Sequence, residues 1–228
     1  MNNKLLFFGC SFTSIETTPT TAEFESYRYK LSNSIGLEHI STAKTGKSNQ
    51  HIIDDVYVCS NDTNHRDDIF VIQYSFCERL GMRADILDNK FTSMCKSRVD
   101  NSSDWKEIRQ IDFYNDWIKY FYSKEGAIID FEKEVNLISN WLKSKQIKFV
   151  SIGFDTNMDK FSEDFYKNNN FIKFDETYSM YKKAANQKMR IVDLQISHNV
   201  IDNHLSEDGH VYLSNAIFNK IKELDYIK

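Results

Sequence analysis

The stretch KLLFFGCSFTS, residues 4–14, joins a short apolar run to a run of small polar residues. An apolar run of this length, ended by Gly9, is typical of a strand buried on both faces, as in a parallel sheet covered by helices. After a polar loop, apolar residues recur at helical spacing from Phe24 to Ile35, and Gly36 supplies a helix stop. The opening residues therefore predict the strand, loop and helix of a first β-α unit.

The alternation of strand and helix then repeats along the chain. Further buried-strand patterns are separated by amphipathic helical patterns. The predicted strands are 37–43, 68–75, 147–153 and 189–194, and the predicted helices include one through Ile52, Val56 and Cys59, one over about 131–145 and one over 206–224. Five buried strands between helices predict a three-layer α/β/α domain with an open, mostly parallel sheet. Because ligands in such folds bind beyond the carboxyl ends of the strands, the residues after each strand are the candidates for a functional site.

The length of 228 residues fits a single domain, 1–228, that carries one insertion. The insertion lies between the third and fourth predicted strands, at about 80–126, and it is rich in aromatic residues. Its pattern predicts a helix over about 105–122. The aromatic rings either pack this helical insertion onto the domain, as buried rings commonly do, or form a lid or glycan platform beside the site.

Charge and composition exclude several function classes. The chain has 29 Lys and Arg against 33 Asp and Glu, a net charge of −4, whereas a nucleic-acid surface normally carries a strong basic excess. Mean hydropathy is −0.54, and no window approaches the roughly 18 consecutive apolar residues of a membrane-spanning helix. The four cysteines form no CxxC pair, so we expect neither a metal site nor a disulfide framework. These features predict no nucleic-acid partner and no membrane span.

The apolar run before Gly9 is also too short for an export signal, which needs about 7–15 apolar residues. We therefore expect the protein to be intracellular, in the cytoplasm.

Polar residues that suit acyl transfer follow three of the predicted elements. Acyl transfer needs a nucleophile, a base, a group that orients the base, and donors for the developing oxyanion. Ser11 directly follows the first strand, and Gly46 lies in the next such loop, where the missing Cβ lets a backbone N–H approach a ligand. Near the other end, Asp202 stands two residues before His204, ahead of a helix capped by Ser206.

These segments resemble the conserved blocks of the SGNH, or GDSL-type, hydrolases. GCSF at 9–12 resembles the first block, GKSN at 46–49 the second, and DNH at 202–204 with the following LSEDGH the last. The order and separation match, and the resemblance spans nearly the whole chain. It implies a flavodoxin-like fold and ester or acyl-group chemistry without a metal or organic cofactor. The residue pattern of the first and last blocks is also similar to that of SGNH-like proteins encoded by tailed bacteriophages, which implies a virion-associated location.

The resemblance implies a role for each candidate residue. Ser11 would be the nucleophile, His204 the base and Asp202 the group that orients the base. The backbone N–H groups of Ser11 and Gly46 would donate to the oxyanion. The implied substrate is a small ester or an acylated glycan, with water or a sugar hydroxyl as the acceptor of the acyl group.

The sequence departs from the family pattern in two places. Cys10 stands where the family usually has Asp, and the third block reads QYSFCER at 73–79, without the Asn whose amide completes the oxyanion hole. Ser75 is the best positional match for that Asn, and Asn49 is the alternative, reaching in from the neighbouring loop. Losing one such donor costs about 100- to 1000-fold in rate, roughly 3–4 kcal/mol. A non-catalytic binding or structural module, such as a virion or host-interaction component, is therefore the rival interpretation.

The remaining ionisable residues near these loops have simpler interpretations. His210, inside the last helix, is expected to be packed or hydrogen-bonded, and His51 and His198 are likewise interpreted as structural. Arg79 either pairs with Glu78 or meets an anionic group of the substrate.

Overall fold

The computed structural model describes residues 3–10, 13, 26–44, 47–75, 80–83, 91–94, 116, 123–153, 160–173 and 207–227. In chain order the strands are β1 (Leu5–Phe8), β2 (His39–Ser41), β3 (Ile69–Tyr74), β4 (Leu80–Arg83), β5 (Phe91–Met94) and β6 (Lys148–Gly153). The helices are α1 (Tyr27–Ile35), α2 (Asn49–Asn61), α3 (Lys124–Ser144), α4 (Glu163–Asn168) and α5 (Glu207–Glu223), with a 3-10 turn at Thr63–His65. The predicted alternation of strands and helices is confirmed.

The main sheet has the strand order β2-β1-β3-β6, and every pair in it is parallel. The predicted open, mostly parallel sheet with helices on both faces is therefore confirmed, but the described sheet has four strands where we expected five. The expected fifth strand, 189–194, lies outside the described residues. Among the residues described after β6, Phe171 forms an isolated parallel bridge with Ser151 of that strand. The second predicted strand is also shorter than expected, His39–Ser41, because it lies at the edge of the sheet and is only partly buried.

Alternate residues of β1 face opposite layers of the fold. Leu5 and Phe7 belong to a core shared with α1 and α5, whereas Leu6 and Phe8 belong to a core shared with α2, α3 and α4. All four side chains are buried, with at most 2% exposed. A strand that is apolar at every position is the pattern expected when helices cover both faces of a parallel sheet.

The helix boundaries follow local capping. Gly36 ends α1 with φ 75°, a left-handed conformation that glycine adopts without a steric cost, so the predicted stop is confirmed. The α3 helix begins at Lys124, earlier than the predicted start near 131. Ser123 caps it, because the Ser123 hydroxyl accepts a hydrogen bond from the Gly126 N–H at 3.2 Å.

The insertion contains an element that the sequence analysis did not predict. Its strands β4 and β5 form an antiparallel hairpin, with Leu80 opposite Met94 and Arg83 opposite Phe91. Asp116 is helical, and the rest of the predicted helix at 105–122 lies outside the described residues. In the part of the chain that is described, no helix has the length and apolar character to cross a membrane.

The contact between α2 and α3 generates a prediction about stability. The Gln50 amide donates a hydrogen bond to Glu134 Oε1 at 2.9 Å. Burial raises the pKa of Glu134; the Gln50 hydrogen bond opposes that shift and the charge of Asp130 adds to it. Because the folded state holds this proton more tightly than the unfolded chain, stability falls as pH rises above the ordinary carboxyl value.

We expect Glu134→Gln to remove this loss of stability at neutral pH while keeping a side-chain oxygen that accepts from Gln50. The variant should be more stable than wild type at pH 7, by less than about 1 kcal/mol because the group is partly exposed, and the gain should vanish near pH 4. Urea unfolding at both pH values measures it, with Glu132→Gln on the same helix as the control. A gain of equal size at both pH values would contradict the prediction.

Candidate active site

Two of the predicted oxyanion residues meet at the carboxyl edge of the sheet. Ser75 directly follows β3, and Asn49 is the first residue of α2. The Ser75 N–H donates a hydrogen bond to Asn49 Oδ1 at 2.7 Å, and both residues are almost completely buried. Since the oxygen and nitrogen of a carboxamide lie on opposite branches, this bond sets which way the Asn49 amide donors point.

The Ser75 hydroxyl is the other possible donor at this place. Its Oγ is buried and makes no hydrogen bond within the described part of the chain. A buried hydroxyl without a partner costs about 1–3 kcal/mol, so folding alone gives no reason to keep it there. The carboxyl edge of β3 therefore presents both candidates that the sequence proposed in place of the missing Asn.

The backbone after β1 is held by Gln73, which the sequence analysis did not single out. Gln73 Oε1 accepts hydrogen bonds from the Cys10 N–H at 3.0 Å, the Thr13 hydroxyl at 3.1 Å and the Cys10 thiol at 3.3 Å. Gln73 Nε2 donates to the Tyr74 carbonyl at 2.5 Å. The sequence contains a hint of this role, because Gln73 is a polar residue inside the strand IFVIQY and a fully buried amide needs hydrogen-bond partners.

The loop after β2 is hydrogen-bonded to the same carboxyl edge of the sheet. The Lys44 N–H donates to the Gly9 carbonyl at 3.2 Å. Lys47, the residue after Gly46, forms an ion pair with Asp55 and donates to the Thr42 carbonyl at 2.7 Å. Lys44 is thus anchored beside the end of β1, and Lys47 is anchored to α2 and to the residue that follows β2.

Two histidines have the structural roles that were predicted for them. His210 is buried in α5, and its Nδ1 accepts a hydrogen bond from the Tyr27 N–H at 3.3 Å while the two rings stack with centroids 6.0 Å apart. His51 Nδ1 lies 3.3 Å from the Ser48 hydroxyl at the start of α2. In both cases a ring nitrogen is engaged by the helical framework, as expected for a packed histidine.

The predicted triad lies outside the described residues. This applies to Ser11, Asp202 and His204, and also to Gly46, Arg79 and His198. Their roles stay predictions. Among the residues that are described, no group of three or more His, Cys, Asp or Glu side chains is placed to hold a metal ion.

The close approach of Gln73 to the chain after β1 makes Gly9 a sensitive position. A Cβ at Gly9 would lie 2.6 Å from Thr13 Oγ1 and 2.7 Å from Gln73 Oε1. We expect Gly9→Ala to lower the free energy of unfolding by about 1–3 kcal/mol, because the buried amide has no room to move.

Gly126→Ala is the matched control. At Gly126, in the first turn of α3, an added Cβ would lie 3.4 and 3.6 Å from Ser123 atoms, which is ordinary van der Waals contact, and would meet no other described residue within 4 Å. This variant should be stabilised by up to about 1 kcal/mol through helix propensity. Chemical unfolding measures the free energy of unfolding of both variants. Equal changes of the same sign would show that the limited space at Gly9 does not matter.

The chain is similar in fold to solved structures of esterases and lipases. No protein-family model matches the chain, and a search of curated proteins gives no match. Two mutants of Axe2, an acetylxylan or acetyl-xylooligosaccharide esterase from Geobacillus stearothermophilus, align at 14% identity over 99% of this chain and 96% of theirs, with TM-score 0.50. A GDSL-like lipase from Bacteroides thetaiotaomicron aligns at 10% identity over 97% of this chain and 89% of that chain, with TM-score 0.44. The chain thus has the α/β fold of the Axe2 esterase, and the fold implied by its resemblance to the SGNH hydrolases is confirmed.

Proposed function

We propose that this protein is a serine esterase of the SGNH type, which hydrolyses a carboxylic ester through an acyl-enzyme on Ser11. The observation that carries the proposal is the convergence at one sheet edge of the backbone beside Ser11, held by Gln73, with the amide of Asn49, held by Ser75. A nucleophile and an oxyanion donor must lie within a few ångströms of one carbonyl group. The fold shared with an acetylxylan esterase is consistent with that chemistry.

The proposed reaction has two half-reactions. Ser11 Oγ attacks the ester carbonyl while His204 takes its proton, and collapse of the tetrahedral intermediate expels the alcohol, which receives that proton. Water then attacks the acyl-enzyme while His204 takes its proton, the bond between the acyl group and Ser11 Oγ breaks to release the carboxylic acid, and His204 returns the proton to Ser11 Oγ. Asp202 keeps the imidazole in the useful tautomer. Only the neutral imidazole can act as the base, so the rate falls as pH drops below about 6.5, the ordinary pKa of histidine.

We assign the third oxyanion donor to the Asn49 amide, beside the N–H groups of Ser11 and Gly46. The hydrogen bond from the Ser75 N–H holds Asn49 Oδ1, so the carboxamide is oriented before a substrate arrives. Preorganised donors are effective because they need no reorganisation during the reaction. In this assignment Ser75 acts through its backbone and supports Asn49, which takes the place of the missing Asn of the third block.

An acetylated carbohydrate is the first substrate class to test. Axe2, which has the same fold, is an acetylxylan and acetyl-xylooligosaccharide esterase. A small acyl group suits a site whose described residues, Asn49 and Ser75, are both deeply buried.

Transfer of the same acyl group to a sugar hydroxyl uses the same triad, and product analysis with a glycan acceptor distinguishes it from hydrolysis.

Replacement of the nucleophile tests the reaction itself. We expect Ser11→Ala to abolish p-nitrophenyl acetate turnover and covalent labelling by a fluorophosphonate probe, because both need the serine hydroxyl. Ser14→Ala, in the same stretch of sequence, is the control and should keep both. Equal turnover by wild type and Ser11→Ala would refute the proposal. A folded wild type that neither turns over ester nor takes the label would favour the non-catalytic module.

Replacement of each candidate donor tests the oxyanion assignment. We expect Asn49→Ala to lower kcat about 100- to 1000-fold, the usual cost of one lost oxyanion donor. Ser75→Ala should lower kcat less than about tenfold, because the Ser75 N–H that holds Asn49 remains. Unfolding midpoints of both variants separate a kinetic loss from a loss of folded protein. A larger loss of kcat in Ser75→Ala than in Asn49→Ala would transfer the role to the Ser75 hydroxyl.

A further inference from the structure

We infer that Gln73 is a positioning residue for the nucleophile: its side-chain amide holds the Cys10 backbone and the Thr13 side chain, on the two sides of Ser11, and thereby sets where the serine hydroxyl lies. This inference rests on the proposed function, because it assigns Gln73 a task in that same reaction. Gln73 does not meet the substrate. It acts through Cys10 and Thr13, which flank Ser11 and Phe12 in the sequence.

The amide oxygen of Gln73 joins β3 to the loop that follows β1. Gln73 lies in β3, 63 residues after Cys10, and is completely buried. Its oxygen accepts from Cys10, the second residue after β1, and from Thr13 three residues later. The Thr13 N–H also donates to the Cys10 carbonyl at 3.0 Å. Both ends of this short segment are therefore tied to one atom of the neighbouring strand.

The orientation of the amide is determined by its surroundings. The Cys10 N–H can only donate, so the group that faces it must be the amide oxygen. The amide nitrogen then faces the Tyr74 carbonyl, which can only accept. A carboxylate could satisfy the first end but would repel the Tyr74 carbonyl, and an apolar side chain could satisfy neither. Among the common side chains of this length, a carboxamide is the one that serves both ends.

The same network extends to the last helix. Thr13 Oγ1 lies 2.6 Å from the Tyr27 hydroxyl, and burial keeps the pKa of Tyr27 above its ordinary value, so this hydroxyl remains protonated and can donate. The Tyr27 N–H donates in turn to His210 of α5. The helix α5 follows residues 202–206 directly, where Asp202 and His204 lie in the sequence. Gln73 therefore belongs to a connected set of buried contacts that links the region of the nucleophile with the helix next to the proposed base.

Small errors of position have large kinetic effects. A displacement of about 1 Å in a reacting group costs on the order of 100-fold in rate, whereas binding of a small ester is far less sensitive to it. A positioning residue should therefore act mainly on kcat, whereas a residue that only stabilises the fold should change the amount of folded protein and leave kcat per folded molecule unaltered.

The variant Gln73→Glu separates these roles by its pH profile. Burial raises the pKa of the introduced carboxyl group above its ordinary value of about 4.3. At pH 8 the carboxylate faces the Tyr74 carbonyl, and we expect kcat for p-nitrophenyl acetate to be about 10- to 100-fold below wild type, with KM within about threefold. At lower pH the protonated carboxyl accepts from Cys10 and donates to Tyr74, as the amide does. The ratio of wild-type to variant kcat should therefore shrink steadily between pH 8 and pH 5.5.

Asn169→Asp is the matched control. Asn169 is another buried carboxamide, whose Nδ2 donates to Asn136 Oδ1 and to the Phe165 carbonyl, both at 2.8 Å, in the layer of α3 and α4. The substitution Asn169→Asp makes the same change from an amide to an acid, but at a position that does not contact Cys10 or Thr13. We expect kcat per folded molecule of this variant to follow the wild-type pH profile. If Gln73→Glu also follows the wild-type profile, the inference is wrong.

Hydrogen exchange provides a readout that does not depend on turnover. The Cys10 N–H should exchange slowly in wild type and measurably faster in Gln73→Glu at pH 8, since repulsion by the Tyr74 carbonyl moves the carboxylate and weakens its hold on the Cys10 N–H. If Gln73→Glu does not fold, Thr13→Val, which removes one of the three hydrogen bonds that Gln73 Oε1 accepts, should still lower kcat with little change in KM. Unchanged kcat in Thr13→Val would then refute the inference. A wild type without esterase activity would refute the proposed function instead, and the exchange of Cys10 would still report whether Gln73 holds this segment.

Discussion

The structure depends on the pairing of β1 with both of its neighbours. Leu5 is aligned with His39 of β2 on one side and with Ile69 of β3 on the other, and helices cover both faces. Each fully buried Leu or Phe contributes about 1.5–3 kcal/mol, so a strand of four such residues is held firmly in register. Because the strands are parallel, the same register delivers Gly9, Thr42 and Ser75 to one edge. The position of the candidate site thus follows directly from the hydrophobic core.

Much of this fold could be predicted because its strongest signals are local. The strand IFVIQY at 69–74 and the run at 5–8 are apolar at nearly every position, and Gly36 ends a helix where left-handed backbone is needed. The elements that were missed depend on their surroundings. The helix Glu163–Asn168 has only six residues, too few to form without the packing of Phe165 and Tyr166 against the core. The β4–β5 hairpin lies in the first part of the insertion, before the helix predicted at 105–122, where the sequence analysis predicted no element.

The candidate site could be predicted only in part, for a related reason. Sequence order placed Asn49 and Ser75 near one another, since each follows a strand or begins the next helix, and their hydrogen bond is consistent with that expectation. The role of Gln73 could not be predicted in the same way. Its partners Cys10 and Thr13 are 63 and 60 residues away, and no spacing rule links a single buried glutamine to a loop at that distance. Only the register of β1 with β3 makes the contact inevitable.

The two edges of the sheet use their polar groups differently, and this contrast is consistent with the proposed place of the active site. At the amino edge Asp68 is fully engaged, since one carboxylate oxygen accepts from the Lys4 N–H at 2.7 Å and the other lies 2.8 Å from His65 Nδ1. At the carboxyl edge the buried hydroxyls of Thr42 and Ser75 make no hydrogen bond within the described residues. An unpaired buried hydroxyl opposes folding, so a sequence selected for stability alone would replace it with an apolar group. That the Thr42 and Ser75 hydroxyls persist at the edge where Ser75 binds Asn49 therefore supports the proposal that this edge of the sheet, and not the opposite one, faces the substrate.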